Sequence, residues 1–120
     1  EIRTFFTCSY GVAVFDCILL GMGSDGHTAS LFPGVPQLSK TQQLVTGVEA
    51  PLHIRPHVDR ISTTLPVFTS AASVLFLVSG ASKTEALKKV LDGGQDLPAA
   101  AASKGGNACW FIHQNSGFNP

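Results

Sequence analysis

Phe15-Asp16-Cys17-Ile18-Leu19-Leu20-Gly21-Met22-Gly23-Ser24-Asp25-Gly26-His27 runs from an apolar segment into three glycines and a histidine. Val14–Leu20 reads as a strand that is apolar on both faces, as parallel strands buried between helices are. Gly21, Gly23 and Gly26 then permit turns and close approaches that residues with a Cβ resist. A loop at the carboxyl end of a parallel strand is where open α/β sheets bind ligands. The stretch therefore predicts a parallel sheet with His27 at its working edge. The imidazole, with an unperturbed pKa of ~6.5, exchanges protons near neutrality.

Two further apolar runs, Val74–Ser79 and Ala108–Ile112, read as the second and third strands. A helix over residues 82–92 is expected between them, with Ser82 as N-cap and Glu85 completing a capping box. Its apolar stripe is Ala86, Leu87, Val90 and Leu91, and Gly93-Gly94 stops it. Leu65–Ala72 reads as a second helix, with Thr64 as N-cap and Pro66 at the first position. Ile2, Phe5 and Phe6 stand at helical spacing, so residues 1–8 read as the end of another helix, whose beginning would lie upstream of Glu1. Thr28–Phe32 is expected to form one helical turn before Pro33-Gly34.

Five prolines fall between positions 33 and 66, so residues 35–60 read as mostly irregular, with Val45–Val48 a short strand. A loop of that length inside a compact domain is usually functional or mobile. Residues 95–107 read as a loop, because the Ala99–Ala102 run lacks evident caps. The order strand–helix–strand–helix–strand implies an α/β fold, a parallel sheet flanked by helices.

Composition narrows the function. Hydrophobic residues make up 44% of the 120 and charged residues 13%, enough apolar material for one small core. Eight basic and eight acidic residues cancel, so no field favours nucleic acid or an anionic membrane. No apolar run approaches the roughly 18 residues that a membrane helix needs. Cys8, Cys17 and Cys109 are too scattered for a disulfide framework or a zinc site, and a reducing, cytoplasmic setting fits them. Cys17 and Cys109 lie in apolar runs and are expected to be buried and inert.

Two strand-to-helix junctions, Gly21–Ser30 and Gly80–Lys83, should share one edge of a parallel sheet. The first offers His27 as a proton-transfer group, with Asp25 two residues away to orient its ring. The second offers Lys83, and Arg60 adds a fork-shaped cation suited to phosphate. Gly23 and Gly26 are candidate substrate contacts through backbone N–H groups that meet a developing oxyanion. His53, Arg55 and His57 alternate in the Pro-rich stretch and read as loop residues without the other ligands of a metal site. Gly21-Met22-Gly23 does not complete G-x-G-x-x-G, which disfavours a dinucleotide.

Leu19-Leu20-Gly21-Met22-Gly23-Ser24-Asp25-Gly26-His27-Thr28-Ala29-Ser30-Leu31-Phe32-Pro33-Gly34 resembles the signature of 6-phosphogluconolactonases. The resemblance continues through Arg60–Pro66, Val78–Lys83, Leu97-Pro98-Ala99 and Cys109-Trp110-Phe111. Glucosamine-6-phosphate deaminases share Asp-Gly-His but continue differently, so Thr28–Gly34 favours the lactonase. The resemblance implies a Rossmann-like α/β fold of the deaminase/isomerase type. It also implies hydrolysis of 6-phospho-D-glucono-1,5-lactone, a small sugar-phosphate ester, to 6-phosphogluconate in the oxidative pentose phosphate pathway, with no metal or cofactor.

The family's N-terminal half carries a glycine-rich phosphate loop and an Asp-Glu-Arg segment, neither of which is in this sequence. Residues 1–120 thus resemble the C-terminal portion of a single lactonase domain, truncated at the N-terminus, with the missing half as its natural partner. Leu52-His53-Ile54-Arg55 replaces a usual proline-rich stretch, and His113-Gln114 replaces an acidic position. A deaminase-like isomerase, or an incomplete piece that only binds a sugar phosphate, is the alternative reading.

Overall fold

The computed structural model describes residues 8–9, 12–39, 42–94, 96–113 and 115. The expected helix at 1–8 falls almost wholly outside them. Cys8 itself lies in a short strand, β1 (Cys8–Ser9), antiparallel to β2 (Val12–Ala13).

Three strands form the central sheet: β3 (Ile18–Gly21), β6 (Val74–Val78) and β7 (Ala108–Ile112). Their order is β3-β6-β7 and both pairings are parallel, with Leu20 opposite Phe76 and Phe76 opposite Trp110. The rings of Phe76 and Trp110 stack at 4.0 Å and 8°. β3 begins four residues later than the apolar run suggests, and Phe15 instead receives the Ala72 N–H on its carbonyl at 2.7 Å.

Side chains alternate across a pleated strand, and here the two faces differ sharply. Leu20, Val74, Phe76 and Val78 are buried against the helices. On the other face Leu19, Leu77 and Phe111 remain 64%, 54% and 53% exposed. The expected burial on both faces is therefore corrected. It fails for the cysteines too: Cys17 and Cys109 are exposed, because the helices cover one side of the sheet.

Among the described residues, three α-helices form the covering layer. α1 (Leu65–Ser70) carries Pro66 in its first turn and buries Val67 and Phe68. Thr64 stands at its N-cap, but the hydroxyl donates to the Gln43 carbonyl rather than capping the helix. α2 (Thr84–Leu91) buries Ala86, Leu87 and Val90. A 3₁₀ turn, Ala81–Lys83, precedes it, so Ser82 lies inside that turn and no Ser82–Glu85 capping box forms. Thr84 Oγ1 bonds the Ala81 carbonyl at 2.8 Å instead.

α3 (Pro98–Ala102) replaces the loop expected there. Alanine is the best intrinsic helix former, and Pro98 fits a first turn. Ala99 and Ala102 are fully buried, so small side chains rather than caps hold this helix close to the core. Between β3 and α1 lies a separate antiparallel ribbon, β4 (Val45–Val48) with β5 (Arg60–Thr63). β4 lies where expected, whereas β5 is not among the expected elements: its first residue, Arg60, ends the segment read as irregular, and no element is expected at 61–63.

Candidate active site

The chain leaves β3 at Gly21 and folds back at once. Thr28 Oγ1 donates to the Gly21 carbonyl at 2.8 Å, which pulls the far side of the loop onto the strand end. Gly23 N–H donates to the His27 carbonyl at 2.9 Å, and Gly26 N–H to the Gly23 carbonyl at 3.0 Å. These two donors are engaged within the loop, so the expected oxyanion contacts from Gly23 and Gly26 are not laid out here. Thr28 bridges Leu31 with Ala29 at φ 51°, a tight turn in place of the expected helical one.

The glycines serve closeness. A Cβ on Gly23 would sit 2.2 Å from His27 Nδ1 and Cε1, so the imidazole lies directly on this backbone. Gly26 has φ +82° and faces Leu97, and its carbonyl accepts the Ala99 N–H of α3 at 3.1 Å. The buried Phe32 ring supports the imidazole at 4.8 Å and 52°. The ring thus meets both the Gly23 backbone and Phe32, in a loop docked on the core.

Asp25 is the hub of the site. Its Oδ1 meets His27 Nδ1 at 2.6 Å and accepts the His27 backbone N–H at 3.1 Å. Its Oδ2 meets His53 Nε2 at 3.0 Å. Partial burial raises the Asp25 pKa, but the hydrogen bonds from His53 and from the backbone and ring of His27, with the His27 charge, outweigh it. Net, the carboxyl is held below its ordinary value.

An ionised carboxylate only accepts, so His27 Nδ1 carries a hydrogen, and in the neutral ring Nε2 keeps its lone pair. The His27 side chain is 26% exposed, so solvent reaches the ring at the loop surface. The arrangement can remove a proton from water and return it, which is general acid–base chemistry.

His53 is corrected from a plain loop residue to a member of this cluster. No local pattern marks it, since 28 residues separate it from Asp25. Arg60 opens β5, where its Nη2 donates to the Pro56 carbonyl at 3.0 Å. Its Nε is buried and has no hydrogen-bond partner among the described residues.

Ser62 Oγ accepts the Ser30 N–H at 3.1 Å, so β5 is tied to the histidine loop. Lys83 lies in the turn after β6, and Gly21 and Leu77 are register partners, which brings both junctions to one sheet edge. Among the described residues, the hydrogen bonds and ion pairs that join Asp25, His27 and His53 do not extend to Arg60 or Lys83.

Residues 1–110 match the sequence profile of the glucosamine-6-phosphate isomerases/6-phosphogluconolactonase family. A Rattus norvegicus protein named 6-phosphogluconolactonase is 41% identical over 106 residues, covering 86% of this chain and 40% of its own length. The solved structure of 6-phosphogluconolactonase from Trypanosoma brucei superposes with a TM-score of 0.84 at 28% identity, covering 96% of this chain and 48% of that one. A monomeric glucosamine-6-phosphate deaminase gives 0.71 at 25% identity, covering 85% of this chain and 46% of that one. The chain thus spans less than half the length of each of these relatives.

Proposed function

The chain belongs to the glucosamine-6-phosphate isomerase/6-phosphogluconolactonase family, and from that premise we propose that it carries the catalytic portion of a 6-phosphogluconolactonase. Residues 1–120 are then the C-terminal portion of one lactonase domain, and the activity belongs to the complete protein. The observation that carries the reading is the 2.6 Å Asp25–His27 contact within a loop that continues as Thr28–Gly34.

His27 Nε2 takes a proton from water as the water oxygen attacks C1 of 6-phospho-D-glucono-1,5-lactone. The bond from C1 to the ring oxygen then breaks, and Nε2–H returns the proton to that oxygen. The product is 6-phosphogluconate, in the oxidative pentose phosphate pathway. Asp25 keeps the imidazole in the required tautomer and stabilises its transient charge. The lactone is an activated ester, so the scheme uses no metal, cofactor or covalent intermediate.

Arg60 and Lys83 anchor the 6-phosphate. The buried, unpartnered Arg60 Nε favours a role that satisfies it, because an unpaired buried donor is costly. Gly23 and Gly26 serve the substrate through the loop they shape around His27. Cys17 and Cys109 are free and exposed, which suits a reducing, cytoplasmic setting. Among the described residues no helix is long and apolar enough to cross a membrane.

The test is lactone hydrolysis by the complete protein. His27→Ala should lower kcat by about 10²–10⁴-fold with KM little changed, and Arg60→Ala should mainly raise KM. Unaltered kcat in His27→Ala would remove the histidine from the chemistry. Turnover of glucosamine 6-phosphate instead of the lactone would move the chain to the deaminase side of the family.

A further inference from the structure

We propose that His53 is a positioning residue, which pins the second oxygen of Asp25 so that the first stays on His27. The proposal rests on the reading of His27 as the base, and its test separates the two.

A carboxylate rotates about a broad, two-fold torsion, so donors on one oxygen alone hold it loosely. Asp25 has donors on both. Oδ1 receives the His27 backbone N–H and ring Nδ1, and Oδ2 faces His53 Nε2 at 3.0 Å. With both oxygens engaged, the plane of the carboxylate is fixed and so is the imidazole bonded to it. Because the carboxylate is ionised, His53 Nε2 must be the donor.

The two histidines come from different parts of the fold. His27 belongs to the loop after β3, His53 to the segment between β4 and β5. That segment is braced by its own bonds. Ile54 N–H donates to the Pro51 carbonyl at 2.9 Å, Arg55 Nη1 to the Leu52 carbonyl, and Arg60 Nη2 to the Pro56 carbonyl at 3.0 Å. Ser62 grips Ser30 from the neighbouring strand.

His53 thus links two internally hydrogen-bonded segments. Its side chain is 62% exposed and contributes little to the core, so its removal leaves the fold in place. A mere surface bridge of that exposure would be worth little. The consequence falls on the geometry of the base.

The experiment compares the complete protein with His53→Leu, which removes the donor, and His53→Gln, whose amide nitrogen can reach the place of Nε2. Nitrogen-15 spectra of labelled histidine report the His27 tautomer directly. The expected result is one His27 tautomer, protonated at Nδ1, in the original protein and in His53→Gln, and a mixture in His53→Leu. In lactone hydrolysis, kcat should fall about threefold to tenfold in His53→Leu, with KM unchanged and recovery in His53→Gln; such a factor is a barrier change of about 0.7–1.4 kcal/mol.

An unchanged His27 tautomer and unchanged kcat in His53→Leu would overturn the proposal. So would a loss that His53→Gln does not restore. If the tautomer responds as expected but the lactone is not hydrolysed, the positioning role stands and the lactonase reading falls.

Discussion

Replacing Gly23 by alanine tests whether the site depends on contact between an imidazole and bare backbone. The added Cβ would stand 2.2 Å from His27 Nδ1 and Cε1, and 2.8 Å from Asp25 Oδ1. Ordinary contact begins near 3.4 Å, so the ring must retreat by about 1.2 Å. Such a shift disturbs its contact with Phe32, at 4.8 Å between ring centroids, and the 2.6 Å contact of Nδ1 with Asp25. A misplacement of about 1 Å can cost about 10²-fold in rate. Overpacking of this kind costs about 1–3 kcal/mol of stability, which a small domain shows as a fall of several degrees in Tm.

Gly21→Ala is the control, since a Cβ there meets nothing within 4 Å. In a continuous assay of lactone opening, Gly23→Ala should lose about 10²-fold in kcat while Gly21→Ala stays near the original. Original kcat in a folded Gly23→Ala protein would refute the close-packed arrangement of Asp25 and His27.

Two other outcomes are expected. Asp25 is held below its ordinary pKa, so its contribution to stability is present above the unfolded-state value of about 3.9 and is lost as pH falls through the folded value. The Tm advantage of the original protein over Asp25→Asn should therefore open as pH rises through the acid range and be flat by neutrality; an equal gap at both ends would count against the ionised hub. The isolated 120-residue chain should self-associate through the open face of Leu19, Leu77 and Phe111, and Leu19→Glu with Phe111→Glu should shift it toward monomer in sedimentation velocity. A monodisperse monomer before substitution would remove that face as the cause.

The framework was legible where chemistry is local. Val74–Val78 and Ala108–Ile112 announce themselves by unbroken apolar runs, and α2 by the spacing of Ala86, Leu87 and Val90. The pairing of Asp25 with His27 follows from two residues of separation in a glycine-rich loop. What escaped depends on distance along the chain or on a face left open. His53 reaches Asp25 only through the path of a proline-rich segment. Cys17 and Cys109 sit in apolar runs, yet composition cannot say that one side of the sheet is uncovered. α3 is nearly all alanine and so has no amphipathic signature, while its burial comes entirely from tertiary packing. Ser82 and Glu85 have the spacing of a capping box, but the 3₁₀ turn delays the helix past it.

Trp110 is the only tryptophan in the sequence, and it lies flat on Phe76 of the neighbouring strand. The chain therefore carries one indole fluorophore, seated where β7 pairs with the middle strand of the central sheet. Emission from that ring follows β6–β7 pairing without a label. A titration with denaturant or with substrate can thus be followed optically at a point apart from the histidine loop, separating the integrity of the scaffold from events at the site.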